Sequence, residues 1–122
     1  MTVKKVAGVC YLKVDGRQYE LRGNLKVSPS DIEREGVAGM DGVHGYIERP
    51  RVPFVEGDIT DGGGLSVLGL ERLSGVTVTV ELANGKTYVL RDAWTSGARE
   101  IDAAQGQMTV RFEGKSCEEL TA

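Results

Sequence analysis

The chain has 122 residues with 40% hydrophobic side chains, which suits one domain with one modest core and excludes a disordered or collagen-like polymer. Fifteen basic residues against eighteen acidic ones give a net charge of −3, so the chain as a whole has no attraction for nucleic acid. No run approaches the ~18 apolar residues of a membrane span, and no stable membrane association is expected.

The opening stretch MTVKKVAGVCYLKV lacks the long apolar region and cleavage site of a signal peptide. Synthesis in the cytoplasm is therefore expected, with Cys10 and Cys117 reduced, since they lie far apart and outside any CxxC spacing. Residues 6–14 and 18–27 read as two strands about Asp15-Gly16, a type I′ turn pair in which both central residues need positive φ. Pairing Val14 with Arg17 sets Leu12 opposite Tyr19 and Cys10 opposite Leu21 on one apolar face. Lys13 and Tyr11 then meet Gln18 and Glu20 on the other.

Residues 28–44 read as a long loop, with a short turn at Ser30–Glu35 started by a Ser30/Glu33 capping box. A connection of that length in a compact domain is functional or disordered, and this one has Ile32, Val37, Met40 and Val43 to bury. Residues 28–72 carry nine acids against four bases. Such an acidic middle in a slightly basic frame suits either a solvated loop or head-to-tail association. Gly45–Glu48 and Val52–Ile59 read as strands interrupted by Pro50 and Pro53, which cannot donate to a ladder. After Asp61-Gly62-Gly63-Gly64, the spacing of Leu65, Leu68 and Leu73 predicts a short helix that stops near Gly75.

Val76–Leu82 alternates strictly, with valines toward the core and Thr77, Thr79 and Glu81 away from it. Asn84-Gly85 is a strong hairpin signal, and Lys86–Asp92 returns so that Val80 faces Val89 and Glu81 faces Tyr88. Gln107–Glu113 alternates as well, with Met108, Val110 and Phe112 inward and residues 98–103 as its expected hairpin partner. Trp94 either caps the margin of the core or stacks on a ligand. The expected fold is a single mainly β domain over residues 1–122, an antiparallel β-sandwich or half-barrel of about six to eight strands with one short α-helix.

The sequence offers little for catalysis. His44 is the sole histidine, and no spacing brings it together with Cys10, Cys117 and a fourth ligand to hold zinc. Cys10 sits mid-strand on the apolar face, where a thiol behaves as a small hydrophobe. Gly62-Gly63-Gly64 precedes a helix, but no Gly-Lys-Ser/Thr follows, and Asp58 and Asp61 would repel phosphate. The aromatic residues are not interleaved with a basic run, so no base-stacking platform is indicated. No cofactor, no metal and no enzymatic activity are expected.

The segment Gly42-Val43-His44-Gly45-Tyr46-Ile47-Glu48-Arg49-Pro50-Arg51-Val52-Pro53-Phe54-Val55-Glu56-Gly57-Asp58-Ile59 resembles the tail tube proteins of Mu-like, contractile-tailed phages. The Asp-Gly-Gly-Gly-Leu helix entry, the Val-Thr-Val-Thr-Val-Glu-Leu-Ala-Asn-Gly-Lys-Thr-Tyr hairpin and the closing Gly-Gln-Met-Thr-Val-Arg-Phe-Glu-Gly strand continue the resemblance over most of residues 5–120. It implies a β-sandwich with one flanking helix, found also in tailocins and in the type VI secretion inner tube. It further implies hexameric rings stacked into a tube that carries DNA, in a virion tail with sheath, baseplate and terminator partners and only transient contact with passing DNA.

Under that resemblance the assembly surface is expected at Ile32, Val37, Met40, His44, Tyr46, Arg49 and Arg51. Arginine suits interface ion pairs through its planar fork, although Arg49 and Arg51 also fit an exposed outer strand. The channel lining is expected on the polar hairpin faces, at Glu20, Arg22, Asn24 and Lys26 and at Thr77, Thr79 and Glu81. A different reading is a small monomeric β-sandwich module that binds a peptide or sugar near Trp94 and Tyr46.

Overall fold

The computed structural model describes residues 10–62 and 66–121. Among these the chain runs β1 (Cys10–Val14), β2 (Arg17–Tyr19), β3 (Leu21–Ser28), β4 (Ile32–Gly39), β5 (Gly42–Pro50) and β6 (Phe54–Thr60). It continues with α1 (Val67–Glu71), β7 (Val76–Leu82), β8 (Thr87–Ser96), β9 (Ile101–Asp102), β10 (Gln107–Glu113) and β11 (Ser116–Leu120). The mainly β, antiparallel plan with one short helix stands. The strands number more than expected because the region read as a loop is itself paired and because several strands are short.

Nine strands form one sheet that folds over on itself. Its first half runs β2-β1-β7-β8-β11 and its second half β10-β6-β3, with β9 also on β10. Strand β8 is the hinge. Its first part pairs with β7 and β11, and Trp94–Ser96 pairs with Arg111–Glu113 of β10. The core fills the space between the halves. Leu12, Val14, Val78, Val80 and Leu90 from the first half meet Val55, Ile59, Met108, Val110 and Phe112 from the second, with Leu70 of the helix beside them. The alternations of 76–82 and 107–113 therefore sort inward and outward as a half-buried strand requires.

The helix is one turn and a half, capped by Ser66, whose hydroxyl oxygen accepts from Gly69 N at 3.1 Å. It is shorter than the leucine spacing suggested, and the Gly63–Leu65 entry lies outside the described residues, as do positions 6–9 of the first expected strand. The backbone N of Arg99 donates to Glu71 Oε1 at 2.8 Å, and its guanidinium donates to Ser96 O and, at 3.0 Å, to Thr109 O. These bonds lash the helix end to β8 and β10.

Three expectations are corrected. The first hairpin pairs Val14 with Arg17 and Leu12 with Tyr19, as expected. It stops there, however, and Cys10 lies opposite Leu82, while Leu21 lies opposite Ile59. The chain leaves the first half of the sheet at Glu20, whose carbonyl accepts from Thr60 N at 2.8 Å. In the second hairpin the register is one residue off, with Val80 opposite Tyr88 and Thr79 opposite Val89. Leu82 N donates to Lys86 O, Gly85 N to Leu82 O, and Gly85 has φ +91. The loop is thus three residues with glycine in the left-handed position, not the two-residue Asn-Gly turn. Residues 32–39, thirdly, are neither loop nor helical turn but strand β4.

Candidate assembly surface

Among the described residues, strands β4 and β5 pair only with each other, through eight residue pairs from Ile32 opposite Pro50 to Gly39 opposite Gly42. At ~3.3 Å per residue the arm reaches roughly 25 Å. Every residue in both strands is exposed. The sequence forms this hairpin because Val43, Tyr46 and Ile47 favour a pleated strand, and because Gly42 and Gly45 supply φ values of +134° and +141° around the tip. At its base Arg51 N donates to Asp31 O at 2.8 Å.

The two faces of the arm are held by cross-strand pairs. On one, Arg34 Nε lies 3.2 Å from Glu48 Oε1 and the guanidinium 4.8 Å from the Tyr46 ring centre. On the other, Arg49 Nη2 lies 2.7 Å from Glu35 Oε2. At the tip His44 Nε2 sits 2.6 Å from Asp41 Oδ1. The His44 ring packs over Gly39, where a Cβ would lie 2.5 Å from His44 Cε1. Exposed ion pairs contribute about 0.2–1 kcal/mol each, and an isolated two-stranded hairpin is marginal in water. The arm keeps its shape on local pairs, while its apolar side chains stay exposed.

Those side chains are Ile32, Val37, Met40, Val43, Tyr46 and Ile47, with Val52 just beyond. Met40 at the tip is wholly exposed and Val43 is 83% exposed. Apolar surface concentrated on one projecting element marks a contact with another macromolecule. Of the expected assembly residues, Ile32, Val37, Met40, His44, Tyr46 and Arg49 lie together on the arm, and Arg51 is exposed at its root. Val43, Ile47 and Val52 belong with them. The signal for Val43 and Ile47 was their β-favouring side chains on either side of Tyr46.

The residues expected to line a channel fall on two surfaces. Arg22, Asn24 and Lys26 share the outward face of β3 in the second half of the sheet. Thr77, Thr79 and Glu81 are the outward residues of β7 in the first half. Glu20 is exposed at the crossing between them.

Conventional sites are weakly formed. Hollows of about 340 and 240 Å³ lie beside β9 and between β2 and the α1 region, and neither is lined by Trp94, Tyr46 or His44. No group of three or more His, Cys, Asp or Glu converges to hold a metal among the described residues. Burial pushes the Cys10 and Cys117 thiols up, away from the reactive thiolate. Asp58 is held below the usual carboxylate range by hydrogen bonds from Thr109 and Asn24, a structural arrangement on the open face of the sheet.

The profile of the phage tail tube protein family matches residues 3–119. The tail tube protein of Escherichia phage Mu is 30% identical over 98 residues, covering 80% of this chain and 82% of that protein. Two solved structures share the fold at 10% identity. The tube-terminating cap of the anti-feeding prophage has a TM-score of 0.68 over 100% of this chain and 95% of the other. A chain of an extracellular contractile injection system, solved as a sheath–tube complex in its extended state, has a TM-score of 0.61 over 93% of this chain and 88% of the other. The family match runs over nearly the whole length and includes the exposed arm: the chain belongs to the phage tail tube protein family, a structural, non-enzymatic component of the virion tail.

Proposed function

We propose that this protein closes into six-membered rings that stack into the inner tube of a contractile tail, through which DNA passes on ejection. The carrying observation is the arm, two strands exposed along their whole length, with Met40 and Val43 at the tip open to solvent and Ile32, Val37, Tyr46 and Ile47 exposed beside them. A second feature supports self-association. Among the described residues β3 pairs only with β6 and leaves one side of an eight-residue strand bare. The opposite extremes of the sheet are blunted, β2 by its three-residue length and β11 by Glu118 and Glu119. A long unblunted strand margin is covered in natural proteins by a neighbour or by closure.

In this reading the arm reaches an adjacent copy, with Arg49 and Glu35 able to exchange partners between subunits. Sheath surrounds the tube, and baseplate and terminator proteins begin and end it. Assembly takes place in the bacterial host cytoplasm. Electron microscopy and light scattering of the purified protein with its baseplate test the reading. Rings and tubes of constant diameter are expected. A protomer that stays monomeric at high concentration beside its baseplate and sheath, or that binds a peptide or sugar as a monomer, overturns it.

A further inference from the structure

The two outer faces of the folded sheet differ in chemistry, and from this we infer that they face different partners: the β3–β6–β10 face is the wall of the channel and the β1–β7–β8–β11 face meets the enclosing sheath. The inference rests on the tube reading and assigns its surfaces.

On the β3–β6–β10 face nearly every polar group is already engaged sideways. Arg22 donates to Thr60 Oγ1 at 3.0 Å and to Gln107 Oε1 at 3.4 Å. Asn24 and Thr109 both donate to Asp58, at 2.7 and 2.6 Å. Arg111 lies 3.9 Å from Glu56 and 3.6 Å from Glu113, with its guanidinium 3.8 Å from the Phe54 ring centre. The three bases Arg22, Lys26 and Arg111 are matched by the three acids Glu56, Asp58 and Glu113. Among the described residues no large hydrophobic side chain on this face is exposed, and Phe54 and Trp94 there are half-buried.

Double-stranded DNA carries one negative charge per ~1.7 Å of axis. A wall repeating in every ring would multiply any free cation into a grip on that polymer. A charge-balanced face whose two arginines are tied to neighbours weakens the grip, because a phosphate would have to displace contacts already made, and Lys26 is left, among the described residues, as the one base there that no side-chain partner holds.

The opposite face has a different composition. One row across it runs Tyr11–Glu81–Thr87–Leu120 by register. Tyr11 is 48% and Leu120 50% exposed. Beside that row lie the ion pairs Lys13–Glu81 at 3.2 Å and Arg91–Glu118 at 2.9 Å. Exposed tyrosine and leucine among paired charges suit contact with a protein, in which apolar side chains are covered and charges set register. A smooth conduit has no use for them.

Single-cysteine probes test the assignment. In a Cys10→Ala, Cys117→Ala background, Lys26→Cys and Tyr11→Cys are each reacted with a maleimide carrying a long polyethylene glycol chain, as protomers and as tubes. Both protomers react alike. In tubes Tyr11→Cys keeps its rate, whereas Lys26→Cys reacts at least tenfold more slowly with the long reagent yet still reacts with N-ethylmaleimide. Adding sheath then protects Tyr11→Cys. The reverse pattern, or equal rates at both positions in tubes, overturns the assignment while leaving the tube reading intact. Absence of tubes from the wild-type protein overturns the reading itself. If the cysteine-free background does not fold, a density map of wild-type tubes decides by showing which face lines the lumen.

Discussion

Removing the arm should separate folding from assembly. Replacing Glu33–Arg49 by a short Gly-Ser connection keeps Asp31 and Arg51, whose backbone bond closes the root, and keeps buried Pro53. None of the buried hydrophobic residues lies between 32 and 50, so the deletion removes no core packing. Shortening the connection about threefold changes its closure entropy by about 1 kcal/mol, in the stabilising direction. The lost cross-strand ion pairs were made and broken within the deleted segment. Unfolding free energy should therefore stay within about 1 kcal/mol of wild type. Urea titration read by the single tryptophan, Trp94, gives that number, and electron microscopy shows whether tubes form. The expected result is a protomer of native stability that no longer assembles. A loss of more than about 3 kcal/mol, the scale of a large core truncation, would show the arm to be integral to the fold. Normal tubes from the armless chain would show that assembly does not use it.

Other predictions follow from single positions. A Cβ at Gly114 would lie 2.8 Å from Arg91 O and 2.8 Å from Leu90 Cγ, so Gly114→Ala should cost about 1–3 kcal/mol by overpacking. Gly36→Ala, with open space around it, should leave urea stability unchanged, and equal effects would contradict the packing argument. Asp58 is held in its charged form by Thr109 and Asn24. Its contribution is present above the unfolded carboxylate pKa of about 3.9 and is lost as pH falls through the lowered folded value. The stability gap between wild type and Asp58→Asn should accordingly close on acidification in urea melts, and a gap independent of pH would refute it. With both thiols pushed up by burial, Cys10 and Cys117 should react with a disulfide reagent near pH 7.5 several-fold more slowly in the folded protein than in urea; equal rates would refute the protection.

The core was legible because period-two alternation is local. Val76, Val78 and Val80, and Met108, Val110 and Phe112, needed no knowledge of what they packed against. The second hairpin's register was not legible, since Asn84-Gly85 fits both a two-residue and a three-residue loop. Only the Leu82–Lys86 backbone bond distinguishes them. The switch at Glu20 was hidden because residues 18–27 read as one strand. What breaks it is the competing partner β6, thirty-odd residues further along.

The arm's pairing is hidden in the sequence for a related reason. Ile-Glu-Arg-Glu-Gly-Val-Ala-Gly has no alternation toward a core because no core touches it. Its strand character comes from cross-strand neighbours such as Glu48 opposite Arg34, and the register shift at Val37/Ala38 blurs its period further. The β class and the inward-facing residues were thus legible in composition, turn chemistry and hydrophobic period, and the family in the resemblance of residues 42–59 and the later strands to tail tube proteins. Tertiary structure decided that the supposed loop is a projecting hairpin, and that the two polar faces belong to different halves of one folded sheet. Both outcomes depend on pairings between distant segments, and a strand's choice of partner lies in the geometry of the whole sheet.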